Sequence, residues 1–247
     1  MRTTGLEVTV DTTLNNLNIT CSVADGSPCI SVSKGVTLAI NTCEIKASTE
    51  HTGVGIKLHE KATLHMLNVQ VIRFRDYSIY CEGKLDCSNV DIHIEDSTFT
   101  ENTAEKGTIS ILEADFSTSL TILTSRFENN KATEGCGGAV HANKVSHVNI
   151  QNTEFSNNEA YKKGGAVCII RVNAVRITNS SFIENIVKTL TGGGLFMSYI
   201  ESGIIKSSRF IGNEAFQKGG GLSLKECKVG VKVYDDVVVK GNKITGT

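Results

Sequence analysis

The stretch Val148-Asn-Ile-Gln-Asn-Thr-Glu-Phe155-Ser-Asn-Asn158-Glu-Ala-Tyr-Lys-Lys-Gly164-Gly-Ala-Val167 decides the fold. Val148 and Ile150 alternate with polar residues, the pattern of a strand with one buried face. Phe155 then opens an F-x-x-N motif, and a glycine pair leads into a second apolar run. The motif recurs at Phe99/Asn102, Phe127/Asn130, Phe155/Asn158, Phe182/Asn185 and Phe210/Asn213. The step is nearly constant at about 28 residues, within the range of solenoid repeats. Counting outward by the same step reaches Val71 and Cys43 on one side and Val239 with Asn242 on the other. Seven and five positions before these sites lie the apolar pairs Val36/Leu38, Leu64/Met66, Ile92/Ile94, Leu120/Ile122, Val148/Ile150 and Val175/Ile177. Each period thus holds at least two short strands, with a third expected around the Phe.

A single coil of this length cannot bury its apolar face. Coils stacked about 4.8 Å apart pair every strand with its equivalents and fuse the interiors into one core. The expected fold is therefore all-β, a single-stranded right-handed parallel β-helix. Residues 1–247 would form one domain, with a less regular N-terminal coil over 1–35 and regular coils over 36–247. The five Phe would form an internal aromatic stack and the five Asn an amide ladder at a turn, where Asn also tolerates left-handed φ. A second polar ladder is expected three positions before each Phe site, through Asn68, Asp96, Thr124, Asn152, Asn179, Ser207 and Asp236. A leucine-rich or helical repeat of similar length is disfavoured by the β-branched alternation, the absence of helix caps and the glycine pairs, which permit bends where a Cβ would clash.

Composition agrees. The chain has 25 basic and 26 acidic residues and a formal net charge of −1, leaving no field to attract nucleic acid or an anionic membrane. Twenty-three Gly, one Pro (Pro28) and no Trp suit short strands joined by tight turns. No stretch approaches the ~20 apolar residues that span a bilayer, so no direct membrane insertion of this segment is expected. Residues 1–14 hold no apolar run of signal-peptide length, so export is expected to rest on a segment outside this sequence or not to occur. Of eight cysteines, Cys21/Cys29 and Cys81/Cys87 could each close a short loop in an oxidising compartment. Cys43, Cys136, Cys168 and Cys227 lack close partners in sequence and read as small buried hydrophobes.

F-x-x-N combined with G-G-A-[ILV] once per coil resembles the repeat of the chlamydial polymorphic membrane proteins and of related β-helical repeats in other bacteria and eukaryotes. It is carried by the five Phe/Asn pairs with Gly137-Gly138-Ala139-Val140 and Gly164-Gly165-Ala166-Val167; Gly193-Gly194-Leu195 and Gly220-Gly221-Leu222 are looser copies. The resemblance covers residues 92–242 well and 36–91 by register only. It implies a repeat region like an autotransporter passenger, displayed on the cell surface and implicated in adhesion. Because the motif specifies stacking, it bears on fold more than on function.

Many parallel β-helices act on acidic polysaccharides, which requires clustered carboxylates across neighbouring coils or Ca²⁺-binding acids with a basic residue. Asp235 and Asp236 are adjacent, but alternation or the polar ladder would separate their side chains. Asp91, Glu95 and Asp96 share one coil, and Thr121, Leu123 and Thr124 are expected at the facing positions of the next. His65 and His93 fall in register on adjacent coils, a spacing that could hold a transition metal or form a pH-sensitive patch. Thr37 and Thr121 are expected beside them and supply no strong third ligand, so two solvated histidines are the favoured reading. His51, His59, His141 and His147 show no ligand spacing. Of two N-x-[ST] sequons, Asn18-Ile-Thr20 and Asn179-Ser-Ser181, Asn18 is the better acceptor, because a glycan on Asn179 would compete with stacking. The outward row Thr37, His65, His93, Thr121, Asn149 and Arg176 is mixed and polar, unlike the Thr array of an ice-binding face or the aromatic and cationic row of a single-strand nucleic-acid site.

No catalytic, cofactor-binding or metal-ligating residue is therefore assigned, and no cofactor is expected. The sequence reads as a non-enzymatic, adhesin-like scaffold, extracellular or at the cell surface. Its lateral face would meet a protein or glycan of a host or neighbouring cell. A polysaccharide lyase or hydrolase, and a structural protein stacking into fibres, are the other readings. The last coil stops after Asn242 without an evident cap, which leads to the expectation of a segment of a larger β-helix or of end-to-end self-association.

Overall fold

The apolar alternation around Ile150 recurs as strand His147–Gln151, paired in parallel with Ser119–Leu123 of one neighbouring coil and Val167–Thr178 of the other. In the computed structural model, which describes residues 2–3, 5–228 and 230–246, every named strand pairs in parallel with its equivalents and no α-helix occurs among the described residues. The chain is a β-solenoid. One coil runs through Val140–Asn143, His147–Gln151, Glu154–Ser156 and Glu159–Ala160. The first two belong to a sixteen-stranded sheet, the third to a ten-stranded sheet that carries the Phe column, and the fourth to a six-stranded sheet.

The Phe column forms because each Phe pairs with the next in register. From Phe99 to Phe210 the rings are fully buried, with neighbouring centroids 4.7–5.0 Å apart and planes within 14° of parallel. The motif asparagines form the expected amide ladder, and it is buried. Asn158 Nδ2 donates to the carbonyl of Phe127 and to Asn185 Oδ1, both at 3.0 Å. Its Oδ1 accepts from the backbone N–H of Asn130 at 3.1 Å and from Asn130 Nδ2 at 3.0 Å. The same pattern runs from Phe74, whose N–H donates to Asn102, to Asn242, whose Nδ2 donates to the Phe210 carbonyl.

Left-handed backbone is not on these asparagines but on the residue before each, as at Glu101, Asn129, Asn157 and Glu184, with φ of 52–56°. The motif Asn is chosen for its amide, whereas the residue before it makes the corner. The second polar ladder is also left-handed: Asn68, Asp96, Thr124, Asn152, Asn179 and Ser207 have φ between 47° and 54°. Short polar side chains there limit the cost of a conformation that L-residues avoid.

The register of the first coils departs from a constant step. Leu38 pairs with Leu64, Ile40 with Met66 and Ile45 with Val71, so this coil is two residues shorter than the next. Ile45, not Cys43, thus occupies the Phe column; the alternating pair is Leu38/Ile40, not Val36/Leu38; and Ala39, not Thr37, lies beside His65. The core admits the apolar side chains whatever the count between them. Near the N-terminus, Leu6–Val8 and Thr12–Asn15 pair in the same sheet with similarly short steps, Leu6 to Ile30 and Thr12 to Leu38. Length varies most between the motif Asn and the next strand: Ile56 pairs with Ile79 across a short coil, whereas Ile109 pairs with Val140 across a long one.

The glycine turns are required by close backbone approach. A Cβ on Gly165 would lie 2.1 Å from the carbonyl oxygen of Gly193 and 2.7 Å from the Ile186 nitrogen. Disulfides Cys21–Cys29 and Cys81–Cys87 close the two short loops as expected. Cys43 and Cys168 are buried, whereas Cys136, in the glycine turn, and Cys227, packed against the core in the last coil, are only half-buried.

Candidate functional site

Where the post-glycine strand meets the alternating strand, the chain turns through one left-handed residue per coil. Glu113, Lys144, Arg171, Tyr199 and Glu226 occupy this corner with φ of 51–58°. Each such residue costs about 1–2 kcal/mol relative to right-handed backbone. The polar ladder meets the same demand with short side chains; here the side chains are long, charged or aromatic.

They interact along the column. Lys144 is ion-paired with Glu113 and, through that hydrogen bond, holds its carboxyl below the ordinary value. The Arg171 guanidinium lies 5.5 Å from the centre of the Tyr199 ring, within cation–π range. Glu226 beside the Tyr199 hydroxyl raises the phenol's pKa, and the phenol together with Lys225 lowers the carboxylate's.

Beside this corner a trough runs along the solenoid. Its first hollow, about 500 Å³, is lined by Phe116, Arg171, Val172, Asn173, Tyr199 and Glu201. A second, about 470 Å³, continues past Ala174, Ser202 and Gly230 to Asn149, Arg176, Lys232 and Tyr234. Ala174, Ser202 and Gly230 stack in register on successive coils, so the outward row shrinks to small side chains and becomes a floor. Asn149, Arg176, Ile204 and Lys232 form the adjacent row. Phe116, Tyr199 and Tyr234 stand 40–45% exposed around it. Lys206 lies 5.6 Å from the Tyr234 ring centre. Glu201, the carboxylate lining these hollows among the described residues, is paired with Lys228 at 2.5 Å. None of Arg171, Arg176 and Lys232 has an ion-pair partner among the described residues, so three cations line the hollows beside one paired carboxylate.

Of these residues, sequence reading identified only Asn149 and Arg176 as outward. The aromatics were missed because they lie at corners and in the last coil, outside the periodic columns. His65 and His93 are in register as expected, with ring centres 5.9 Å apart, and His93 Nε2 is 3.5 Å from the Glu95 carboxylate. Ala39 and Thr121 flank them, and among the described residues no group of three or more potential ligands could hold a metal ion. Asp236 accepts from the Ser207 hydroxyl and N–H, which keep its carboxyl below the ordinary value; Asp235 is exposed. Asp91 accepts from Ser119 across coils, and Thr121 and Leu123 face His93 and Glu95. Asn18 and Asn179 are both exposed.

Two of the four histidines without ligand spacing are buried. His51 packs edge-on to Phe74, and its Nδ1 accepts from the Val23 N–H. His141 stands between Ser110 and Cys168 in the ladder, and neither ring nitrogen has a hydrogen-bond partner among the described residues. Burial, helped by Lys106, lowers the His141 pKa to about 4. The unfolded chain, titrating near 6.5, binds the proton more readily, so stability from this group is full above pH ~6.5 and falls as pH drops toward 4. A loss of about 3 kcal/mol by pH 4 is expected from His141. Denaturant unfolding between pH 7 and 4 should show a shallower pH dependence for His141→Phe than for the parent; equal slopes would refute the assignment. His51, also lowered by burial, contributes with the same sign in both proteins.

Residues 152–170, from the left-handed Asn152 through Phe155 and Asn158 to the glycine turn and the strand after it, match the family model described as the Chlamydia polymorphic membrane protein (Chlamydia_PMP) repeat. No curated protein and no solved structure matches the chain. The chain thus carries a polymorphic membrane protein-like repeat within a β-solenoid.

Proposed function

We propose that this solenoid is an adhesin-like, non-enzymatic rod at the cell surface, and that its lateral trough holds an acidic glycan. The observation that carries the reading is the trough itself: exposed Phe116, Tyr199 and Tyr234 beside Arg171, Arg176 and Lys232 over a floor of small residues. Aromatic rings offer flat apolar faces to sugar C–H groups, and unpaired guanidinium and ammonium groups meet carboxylate or sulfate. Its length across successive coils suits a chain better than a compact ligand. Binding is favoured over hydrolysis because a glycosidase pairs two carboxylates across its substrate, and Glu201 is already paired with Lys228. The repeat match supports surface display.

Titration calorimetry with a sulfated oligosaccharide and its desulfated counterpart tests the proposal. The sulfated chain should bind more tightly, and more weakly as salt rises. Tyr199→Ala and Arg171→Ala should each weaken it roughly tenfold, about 1.4 kcal/mol. Equal affinity for both oligosaccharides, or unchanged binding by both variants, would remove the trough as the site.

A further inference from the structure

We propose that Cys136 and Cys168 form an oxidation site that closes into a third disulfide, joining two successive coils beneath the glycine turn. The two thiols are neighbours that act on each other electrostatically, although more than a full coil of chain separates them. The segments that carry them are in contact: the Gly137 N–H donates to the Lys163 carbonyl at 2.9 Å, and a Cβ on Gly137 would lie 3.1 Å from the Cys168 nitrogen. Cys168 is buried on its strand, whereas Cys136 sits half-buried in the turn Gly135-Cys136-Gly137-Gly138, open to a small reagent.

Their surroundings give them different roles. The neighbouring Cys168 thiol and the charges of Lys163 and Lys162 lower the Cys136 thiol, while burial raises Cys168 well above its ordinary value. Lys163 is held in place 4.8 Å from the ring centre of Phe196, the ladder neighbour of Cys168. Cys136 is thus the attacking thiolate and Cys168 the resolving thiol. With a small disulfide oxidant, the Cys136 thiolate attacks one sulfur, the oxidant's S–S bond breaks, and one thiolate leaves. Cys168 then gives its proton to solvent, and its thiolate attacks Cys136 Sγ, expelling the second thiolate. The dithiol is oxidised to a disulfide, and the oxidant is reduced to two thiols that take up the two protons. The closed pairs Cys21–Cys29 and Cys81–Cys87 fit a chain that matures where such oxidants are present. Those bonds each close a short loop, whereas the proposed one would tie neighbouring coils together over the unpartnered His141.

The test is to incubate the full chain with increasing oxidised glutathione, alkylate it, and map peptides without reduction. The Cys136 and Cys168 peptides should be recovered joined and two hydrogens lighter, with Cys43 and Cys227 alkylated once the chain is unfolded. Cys168→Ser should trap glutathione on Cys136, and Cys136→Ser should leave Cys168 unmodified. The parent map needs no variant to fold. Accumulation of a stable glutathione adduct on parent Cys136, linkage of Cys136 to Cys43, to Cys227 or to a second chain, or alkylation of both thiols with no linkage would overturn the proposal.

Discussion

Asn158→Leu is expected to destabilise the central coils by about 2–6 kcal/mol, because it strands two buried donors at once. The Asn158 amide makes four hydrogen bonds, to the Phe127 carbonyl, to Asn185 and twice to Asn130. Leucine fills similar space but leaves the Asn130 N–H and one Asn130 amide hydrogen unpaired, where neighbouring coils exclude water, and removes the side-chain donor from the Phe127 carbonyl, whose strand still pairs with Glu154–Ser156. Each orphaned group costs about 1–3 kcal/mol. In a solenoid each coil contacts only its neighbours, so the damage should centre locally rather than lower all protection equally. Hydrogen exchange should accelerate first around residues 127–130 and 155–158, alongside a lower denaturation midpoint. A loss below about 1 kcal/mol with unchanged exchange would show that the ladder is a consequence of stacking and not a contributor to it.

Phe155→Ala is expected to cost about 3–5 kcal/mol, toward the upper end of that range. The ring is fully buried, with neighbouring ring centres 5.0 Å away on both sides. Backbone pairing fixes the coil spacing, so Phe127 and Phe182 cannot approach to close the cavity. Position should matter: Phe210 packs against Val239, which is 58% exposed, and its loss opens space in a coil already less enclosed. Phe210→Ala should therefore lower the melting midpoint less than Phe155→Ala. Equal losses would mean that the cavity, not its enclosure by neighbours, sets the cost.

The trough was only partly legible in the sequence. Asn149 and Arg176 could be assigned outward because they lie inside the alternating strand, whose period of two is visible residue by residue. Tyr199 and Arg171 could not, because they occupy left-handed corners where alternation stops, and Phe116 lies in a loop between strands. The thiols of Cys136 and Cys168 escaped register counting for a similar reason. One is in a turn and the other in a strand, so their separation along the chain is not the repeat step.

Sequence by itself determined the solenoid, the Phe column, the amide ladder, the polar corner and the two short disulfide loops. A coil that cannot bury its own apolar face must place equivalent side chains on one another, and that need is written as a repeat. Tertiary structure alone decided the shortened register of the first coils, the side chains that meet at the strained corner and the depth of the trough. Turn lengths are free to vary so long as the strands still pair, and what turns bring together therefore follows no period.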